Sequence, residues 1–356
     1  MRWHIFCRVI DNYGDAGVCW RLAADLCQRG EQVDLFIDEP EVLAALRDPA
    51  APASVLIHSW PDSSRAFMAN DVADVVIEAF ACDPPDAYVT AMAERAQRGT
   101  PPVWINLEYL SAEDWVGSHH RLPSPHPSYP LTKYFYFPGF TSDSGGLLRE
   151  PGLLPAAALQ RVSATDGAVT PLRIFLFSYT QPALTPWVAA LTNTQLTVPP
   201  CPARTQFKEA PMTLPPSVAL TEVPFVPQAQ FDAVLNAHDL LFVRGEDSFV
   251  RAQWAGKPVF WQIYPQEDGA HLIKLRAFYG RYLNPQILGE TGCEILMQFL
   301  LAWNGAGPVG DCARLWPEIV RMLPALRANA QDWRQLLLKQ PDLVTQLREF
   351  VGNLVK

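Results

Sequence analysis

The sequence predicts an α/β protein built from two doubly wound domains that face each other across a cleft. Three observations predict it. Short apolar runs alternate with segments of helical period along most of the chain. Two of those runs, near residues 2–10 and 240–243, lead straight into polar, glycine-containing loops and then into helices. A chain of 356 residues is too long for one ordinary domain and suits two.

The first apolar run is RWHIFCRVI, residues 2 to 10, read as one strand. The chain turns at Asp11-Asn12-Tyr13-Gly14-Asp15-Ala16-Gly17. A helix follows, with Val18, Leu22 and Leu26 on one face. Gly30 ends it, and Val33 to Ile37 is the next strand, closing a βαβ unit. The glycines are spaced Gly14-x-x-Gly17, which is not the G-x-G-x-x-G of a dinucleotide site, so a nicotinamide oxidoreductase is disfavoured. Two carboxylates, Asp11 and Asp15, bracket the loop. As a bare pattern they read equally as turn formers or helix caps.

Further strands are expected at Ser54–Ile57, Val75–Ile77 and Val103–Ile105, with a helix from about Pro85 to Gln97. Glu108 and Tyr109 follow a strand and are expected to face the cleft. Residues 117 to 146, rich in Pro, His and aromatics, read as one long ordered loop. His119 and His120 have no matching carboxylate or Cys cluster, so they read as exposed or hydrogen-bonded rather than metal-bound. Residues 150 to 170 are read as the bridge, giving domains at 1–155 and 156–339, with a C-terminal helix around 340–356 packing back on the first.

The second domain opens on the strand Leu172–Phe177, ending at Ser178-Tyr179-Thr180. Residues 194 to 217 are proline-rich and read as a strand with loops. Val223 to Gln228 is a loop before a helix near Ala229–Asn236. Leu240 to Val243 is a strand that breaks at Arg244-Gly245. Asp247 or Ser248 would cap the helix that Gly256 ends, before a strand at Pro258–Trp261. Ligands of open α/β sheets sit outside the carboxyl ends of the strands, so Arg244 to Ser248 lie where a ligand belongs. The helix start there would attract an anion such as phosphate. Another helix is expected after Gln266–His271, and three more after Leu315; the last carries Leu343, Leu347 and Val351 as an apolar stripe.

Composition bounds the function. Hydrophobic residues make up 49% and charged residues 18%, which supports a packed core. The net charge of −9 argues against a nucleic-acid phosphate binder and suits a basic partner. No apolar stretch reaches the roughly 18 residues of a membrane span. The start, MRWHIFCRVI, is a poor signal peptide because Arg8 and Asp11 interrupt it. Seven scattered Cys without ligand spacing fit a reduced, cytoplasmic chain.

DNYGDAGVCWRLA, FSYT, PFVPQ, RGEDSFVRAQWAGKP and the following Glu267-Asp268-x-x-His271 resemble the EarP family, the protein-arginine rhamnosyltransferases of elongation factor P. The resemblance runs along nearly the whole chain. It implies a GT-B fold of two Rossmann-like domains and an inverting, metal-independent transfer of L-rhamnose from TDP-β-L-rhamnose, with no cofactor. The implied acceptor is one arginine on the N-terminal KOW-like domain of elongation factor P, which activates that factor for ribosomes stalled at polyproline. By the same resemblance the catalytic aspartate is Asp15, with Asp11 the other acidic member, and Tyr13, Gly14 and Gly17 complete that loop. Arg244, Glu246, Asp247 and Ser248 bind the nucleotide sugar, Phe225 stacks on the base, Gln228 reads it, and Tyr179 lies near the diphosphate. Glu246 is counted with Asp15 and Asp11 among the catalytic residues and is also a candidate for the ribose hydroxyls. No D-x-D pair of the metal-holding kind occurs near these groups. The competing expectations are a GT-B enzyme with another sugar and acceptor, and a nucleotide-binding module without catalysis.

Overall fold

The computed structural model describes residues 1–11, 13–47, 55–60, 67–153, 170–209 and 212–355. The chain forms two compact units: Met1–Leu153 with Gln340–Lys356, and Leu154–Lys339. The expected bridge falls mostly on 154–169, outside the described residues.

Unit 1 runs β1 (Arg2–Cys7), α1 (Tyr13–Gln28), β2 (Gln32–Ile37), α2 (Leu43–Leu46), β3 (Val55–Ser59), β4 (Val75–Ala79), α3 (Asp86–Gln97), β5 (Val103–Leu107), α4 (Val116–His119), β6 (Pro123–Pro125) and β7 (Thr132–Tyr136). The sheet order is β3-β2-β1-β4-β5-β7-β6, parallel except for β6. β4 and β5 are buried along their whole length, as strands covered on both faces must be. Phe6, Phe36, Tyr88 and Trp60 pack together under one face, Phe6 stacked on Phe36 at 4.7 Å.

Two expectations are corrected here. The first strand stops at Cys7, because the N–H of Val9 goes to Asp38 Oδ1 and that of Ile10 to Asp15 Oδ2 instead of the sheet ladder. Residues 117–146 are not one loop. Thr132–Tyr136 joins the sheet beside β5, and Pro123–Pro125 forms the outer strand, where proline's missing N–H is tolerated. The surrounding prolines conceal the alternation of so short a run. His120 Nδ1 accepts the Phe137 N–H at 3.1 Å, and burial holds its pKa at about 4. His119 is bonded to Ser118 and the Trp115 carbonyl.

Unit 2 runs β8 (Leu172–Leu176), α5 (Leu184–Ala189), β9 (Thr194–Val198), α6 (Pro202–Glu209), β10 (Val218–Glu222), α7 (Gln228–Asn236), β11 (Leu240–Arg244), α8 (Asp247–Ala255), β12 (Val259–Gln262), α9 (Ala270–Tyr282), α10 (Pro285–Leu288), α11 (Glu290–Trp303), α12 (Asp311–Arg321) and α13 (Leu323–Leu338). Its sheet, β10-β9-β8-β11-β12, is all parallel. Trp187, Trp303, Phe260 and Phe299 surround Phe242 at the sheet centre. The helix α6 stands where loops were expected, and α10 and α11 were not anticipated. The last helix, α14 (Leu343–Leu354), returns to unit 1 and buries Leu343, Leu347 and Val351. Arg29, just past the end of α1, binds Asp25 of that helix together with Asp342 and Thr345, fastening α14 to α1. No described helix is long and apolar enough to cross a membrane.

Candidate active site

Among the parallel strands of each sheet there is a place where the direction of strand succession reverses. In unit 1 it lies between β1 and β4, in unit 2 between β8 and β11. The loops leaving adjacent strands there go to opposite faces and open a crevice at the carboxyl ends. Asp11 and the start of α1 follow β1, and the loop Arg244–Glu246 leaves β11, so both polar segments singled out from sequence stand at such a point.

In unit 1, α1 begins at Tyr13, so Gly14, Asp15 and Gly17 lie within the helix rather than in a turn before it. Asp15 sits in the first turn, where a carboxylate is favoured by the helix dipole. It is 4% exposed. Its Oδ2 accepts the backbone N–H groups of Ile10 at 2.8 Å and Asp11 at 3.0 Å. Burial pushes its pKa above the usual carboxylate range; the two N–H donors oppose this and are outweighed, while nearby Asp38 adds to the rise. Asp11 leans over the helix start: its carbonyl accepts the Gly14 N–H, and a Cβ at Gly14 would meet Asp11 Oδ2 at 2.8 Å. A side chain at Gly14 would therefore push the Asp11 carboxylate from this position. Gly17 is buried in α1, and Tyr13 is half-buried.

The loop leaving β4 is the other wall of this crevice. Cys82 Sγ donates to the Phe6 carbonyl at 3.2 Å, tying it to β1. Phe80, Ala81 and Asp83 all take positive φ, at 58°, 53° and 49°. Each such non-glycine residue costs roughly 1–3 kcal/mol and persists only where its surroundings impose it. Here Phe80 N–H binds the Leu107 carbonyl at 2.7 Å and Ala81 N–H binds Asn106 Oδ1 at 3.2 Å. Phe80 stacks on Tyr109, centroids 4.3 Å apart and planes 13° from parallel. Asn106 Nδ2 donates to Glu108 Oε1 at 2.7 Å. Glu108 and Tyr109 thus belong to this rim. Phe80 escaped sequence reading because an apolar residue after an apolar strand carries no signal of its backbone angle.

In unit 2, Arg244 ends β11. Its guanidinium lies over Phe177 at 4.7 Å and over Tyr179 at 4.5 Å, a geometry favourable for cation–π attraction. Gly245 turns the chain at φ 59°, and Trp261 Nε1 donates to its carbonyl at 2.7 Å. Helix α8 begins at Asp247, with Glu246 at the cap position and no side chain capping it; the expectation of an Asp247 or Ser248 cap is thereby corrected. Ser248 Oγ donates back to the Arg244 carbonyl, and Asp247 Oδ2 accepts from Gln228 Nε2 at 2.8 Å. That bond pins the start of α7 to the start of α8. Gln228 is 7% exposed, so one of its amide protons is committed inside the protein. Phe225 is half-buried in the loop before α7. Gln262, absent from the sequence reading, accepts the Tyr179 N–H at 2.8 Å and locks the end of β8 to β12. A polar residue at the end of a buried strand was its only signal.

The group in unit 2 therefore offers a cation, a helix start, aromatic faces and a carboxylate. The group in unit 1 offers two carboxylates and an aromatic rim. These are complements of an anionic nucleotide and of a cationic side chain respectively.

Comparison with known proteins gives a consistent picture. Residues 3–352 match the profile of a family described as elongation factor P (EF-P) rhamnosyltransferase EarP. A protein-arginine rhamnosyltransferase of Pseudomonas aeruginosa is 42% identical over 387 residues, covering 99% of each chain. One of Neisseria meningitidis is 35% identical over 382 residues, covering 98% of this chain and 96% of its own. A solved structure concerning the structural basis of EarP-mediated arginine glycosylation of translation elongation factor EF-P is 30% identical, has a TM-score of 0.63, and covers 99% of both chains. The spinosyn rhamnosyltransferase SpnG, 13% identical with a TM-score of 0.51, covers 98% of this chain and all of its own and shares the fold alone. The α/β, GT-B class expected from sequence is the class these structures share.

Proposed function

We propose, from the premise that this chain belongs to the family of elongation factor P rhamnosyltransferases, that it transfers L-rhamnose from TDP-β-L-rhamnose to one arginine of elongation factor P, with inversion at the anomeric carbon and without a metal. The observation that carries this reading is the placement of Asp11 and Asp15 together at the carboxyl end of β1, with Asp15 buried and already oriented by two backbone donors.

The donor falls to unit 2. Phe225 supplies an aromatic face for the base, worth about 1–3 kcal/mol in stacking. Glu246 is assigned to the ribose hydroxyls. Arg244 and the start of α8 meet the diphosphate and stabilise charge on the departing oxygen, the task a metal performs in other transferases. Gln228 acts through Asp247, holding the start of α7 to the start of α8, and is the proposed reader of the base.

The acceptor falls to unit 1. An arginine side chain has a pKa above 12, far beyond the reach of a carboxylate in the ground state. The carboxylates therefore bind the guanidinium first by charge-assisted hydrogen bonds. One guanidinium nitrogen forms a bond to the anomeric carbon as the bond from that carbon to the diphosphate oxygen breaks. The nitrogen becomes acidic only as its bond forms, and its proton passes late to Asp15. The raised pKa of Asp15 makes it a better proton acceptor than an ordinary aspartate. TDP leaves, and the product arginine remains cationic.

The test is intact and peptide mass spectrometry of elongation factor P incubated with the protein and TDP-β-L-rhamnose, with and without EDTA. A gain of one deoxyhexose on an arginine, unaffected by EDTA, supports the reading. TDP binding without transfer supports a nucleotide-binding module instead, and transfer from a different nucleotide sugar supports another donor. The N-terminal KOW-like domain is the proposed docking partner, and the cytoplasm, where elongation factor P works, the proposed location.

A further inference from the structure

We infer that the stacked pair Phe80 and Tyr109 is the platform on which the acceptor's guanidinium lies before transfer, an inference that rests on the arginine-acceptor reading above. Tyr109 was expected to face the cleft without an assigned role, and Phe80 was not singled out. Four observations bring them forward. They stand beside the crevice between β1 and β4, across from Asp11 and Asp15, because β4 pairs with β1 and Cys82 bonds to Phe6. Both rings are half-buried, so the stack keeps accessible surface. Their plane is set by left-handed backbone at Phe80 and Ala81, which the Leu107 carbonyl and Asn106 Oδ1 hold in place. Asn106 also orients Glu108, so a carboxylate is fixed beside the aromatic pair.

An apolar stack serving only the core would be covered and need no strained loop. A flat cation explains all four features together. A guanidinium is planar, weakly hydrated on its faces and rich in donors at its edge. It stacks on an aromatic face while its edge donates to carboxylates. The platform adds what Asp11 and Asp15 lack: it fixes the plane of the cation, and so which nitrogen lone pair can develop toward the donor. Phe80 and Tyr109 are binding and positioning residues; neither touches the proton.

The test is a double-mutant cycle in dissociation constants, measured without donor. The enzyme is wild type, Tyr109→Ala, Phe80→Leu or Tyr109→Phe. The acceptor is elongation factor P with its target arginine or with alanine there. We expect wild type to bind the arginine form at least fivefold more tightly than the alanine form. That preference should shrink to under twofold in Tyr109→Ala and Phe80→Leu and persist in Tyr109→Phe, with TDP affinity unchanged throughout. Additive effects, meaning an undiminished arginine preference in Tyr109→Ala and Phe80→Leu, overturn the platform. So does a loss confined to donor binding, which would place the sugar on the rings. Each variant's unfolding midpoint is measured alongside, and Tyr109→Phe keeps the inference testable if the alanine variant unfolds: loss of the arginine preference in this ring-preserving variant would also overturn it. Failure of wild-type protein to modify any arginine would remove the parent reading, and is scored separately by mass spectrometry.

Discussion

The Asp15 carboxylate accepts the backbone N–H of Asp11 at 3.0 Å, so one acid shapes the loop that carries the other. Asp15 also takes the Ile10 N–H on the same oxygen. The two acids are thus unequal: Asp15 is buried and fixed, and Asp11 is held through it. Asparagine keeps an oxygen for both donors, while alanine leaves two amides unanswered. Asp15→Ala is expected to lose about 1–3 kcal/mol of stability in urea unfolding and Asp15→Asn much less. Equal losses would show that the loop does not depend on that oxygen.

Burial raises the Asp15 pKa, and this fixes the sign of a pH effect. A carboxyl whose pKa is higher folded than unfolded binds its proton more tightly in the native state. Its ionisation therefore costs stability once the pH exceeds the unfolded value, near 3.9, and the cost is complete above the folded value. The stability of Asp15→Asn relative to wild type should then rise as pH increases across that window and level off above it. Parallel unfolding free energies from pH 3.5 to 7 would contradict the shift.

Glu78 on β4 has no exposed side-chain surface and is paired with Lys133 of β7 at 2.6 Å, with Trp104 Nε1 donating at 3.1 Å. Burial raises the Glu78 pKa against the pull of Lys133. Lys133→Met is expected to cost about 3–5 kcal/mol at neutral pH, because it leaves an uncompensated buried charge. Part of that loss should return as pH falls and Glu78 takes a proton. Glu78→Gln combined with Lys133→Met should recover most of it at pH 7. Chemical denaturation of the wild type and the two variants checks this.

Donor affinity should divide by residue. Phe225→Ala is expected to weaken TDP binding by about 1–3 kcal/mol in calorimetry, the loss of one base stack. It should leave the affinity for elongation factor P within twofold. Tyr179→Phe keeps the ring beneath Arg244 and should bind TDP better than Tyr179→Ala. Equal losses for donor and acceptor in Phe225→Ala would reject the division.

Much of this was legible in the sequence, for identifiable reasons. The strand-loop-helix units at Asp11–Gly17 and Arg244–Ser248 show because apolar runs end abruptly in charge and glycine. The sheet at Thr132–Tyr136 did not show, since it is five residues long amid prolines. Helix α11 was missed because it follows a short helix and Gly289 without a conspicuous polar cap. The paired roles of Asp15 and Gln228 were also hidden. Both bond to partners that only the fold brings near: a backbone turned back on itself, and a carboxylate 19 residues away. Phe80 depends on a backbone angle that no side-chain pattern encodes.

The most direct measurement is single-turnover rhamnosylation by Asp15→Asn, with donor saturating and folding verified. If Asp15 takes the proton as the C–N bond forms, the rate falls by about two to four orders of magnitude, the usual contribution of general base catalysis, while TDP affinity is retained. A rate within a few-fold of wild type would mean that another group accepts the proton, and the proposed mechanism would be wrong.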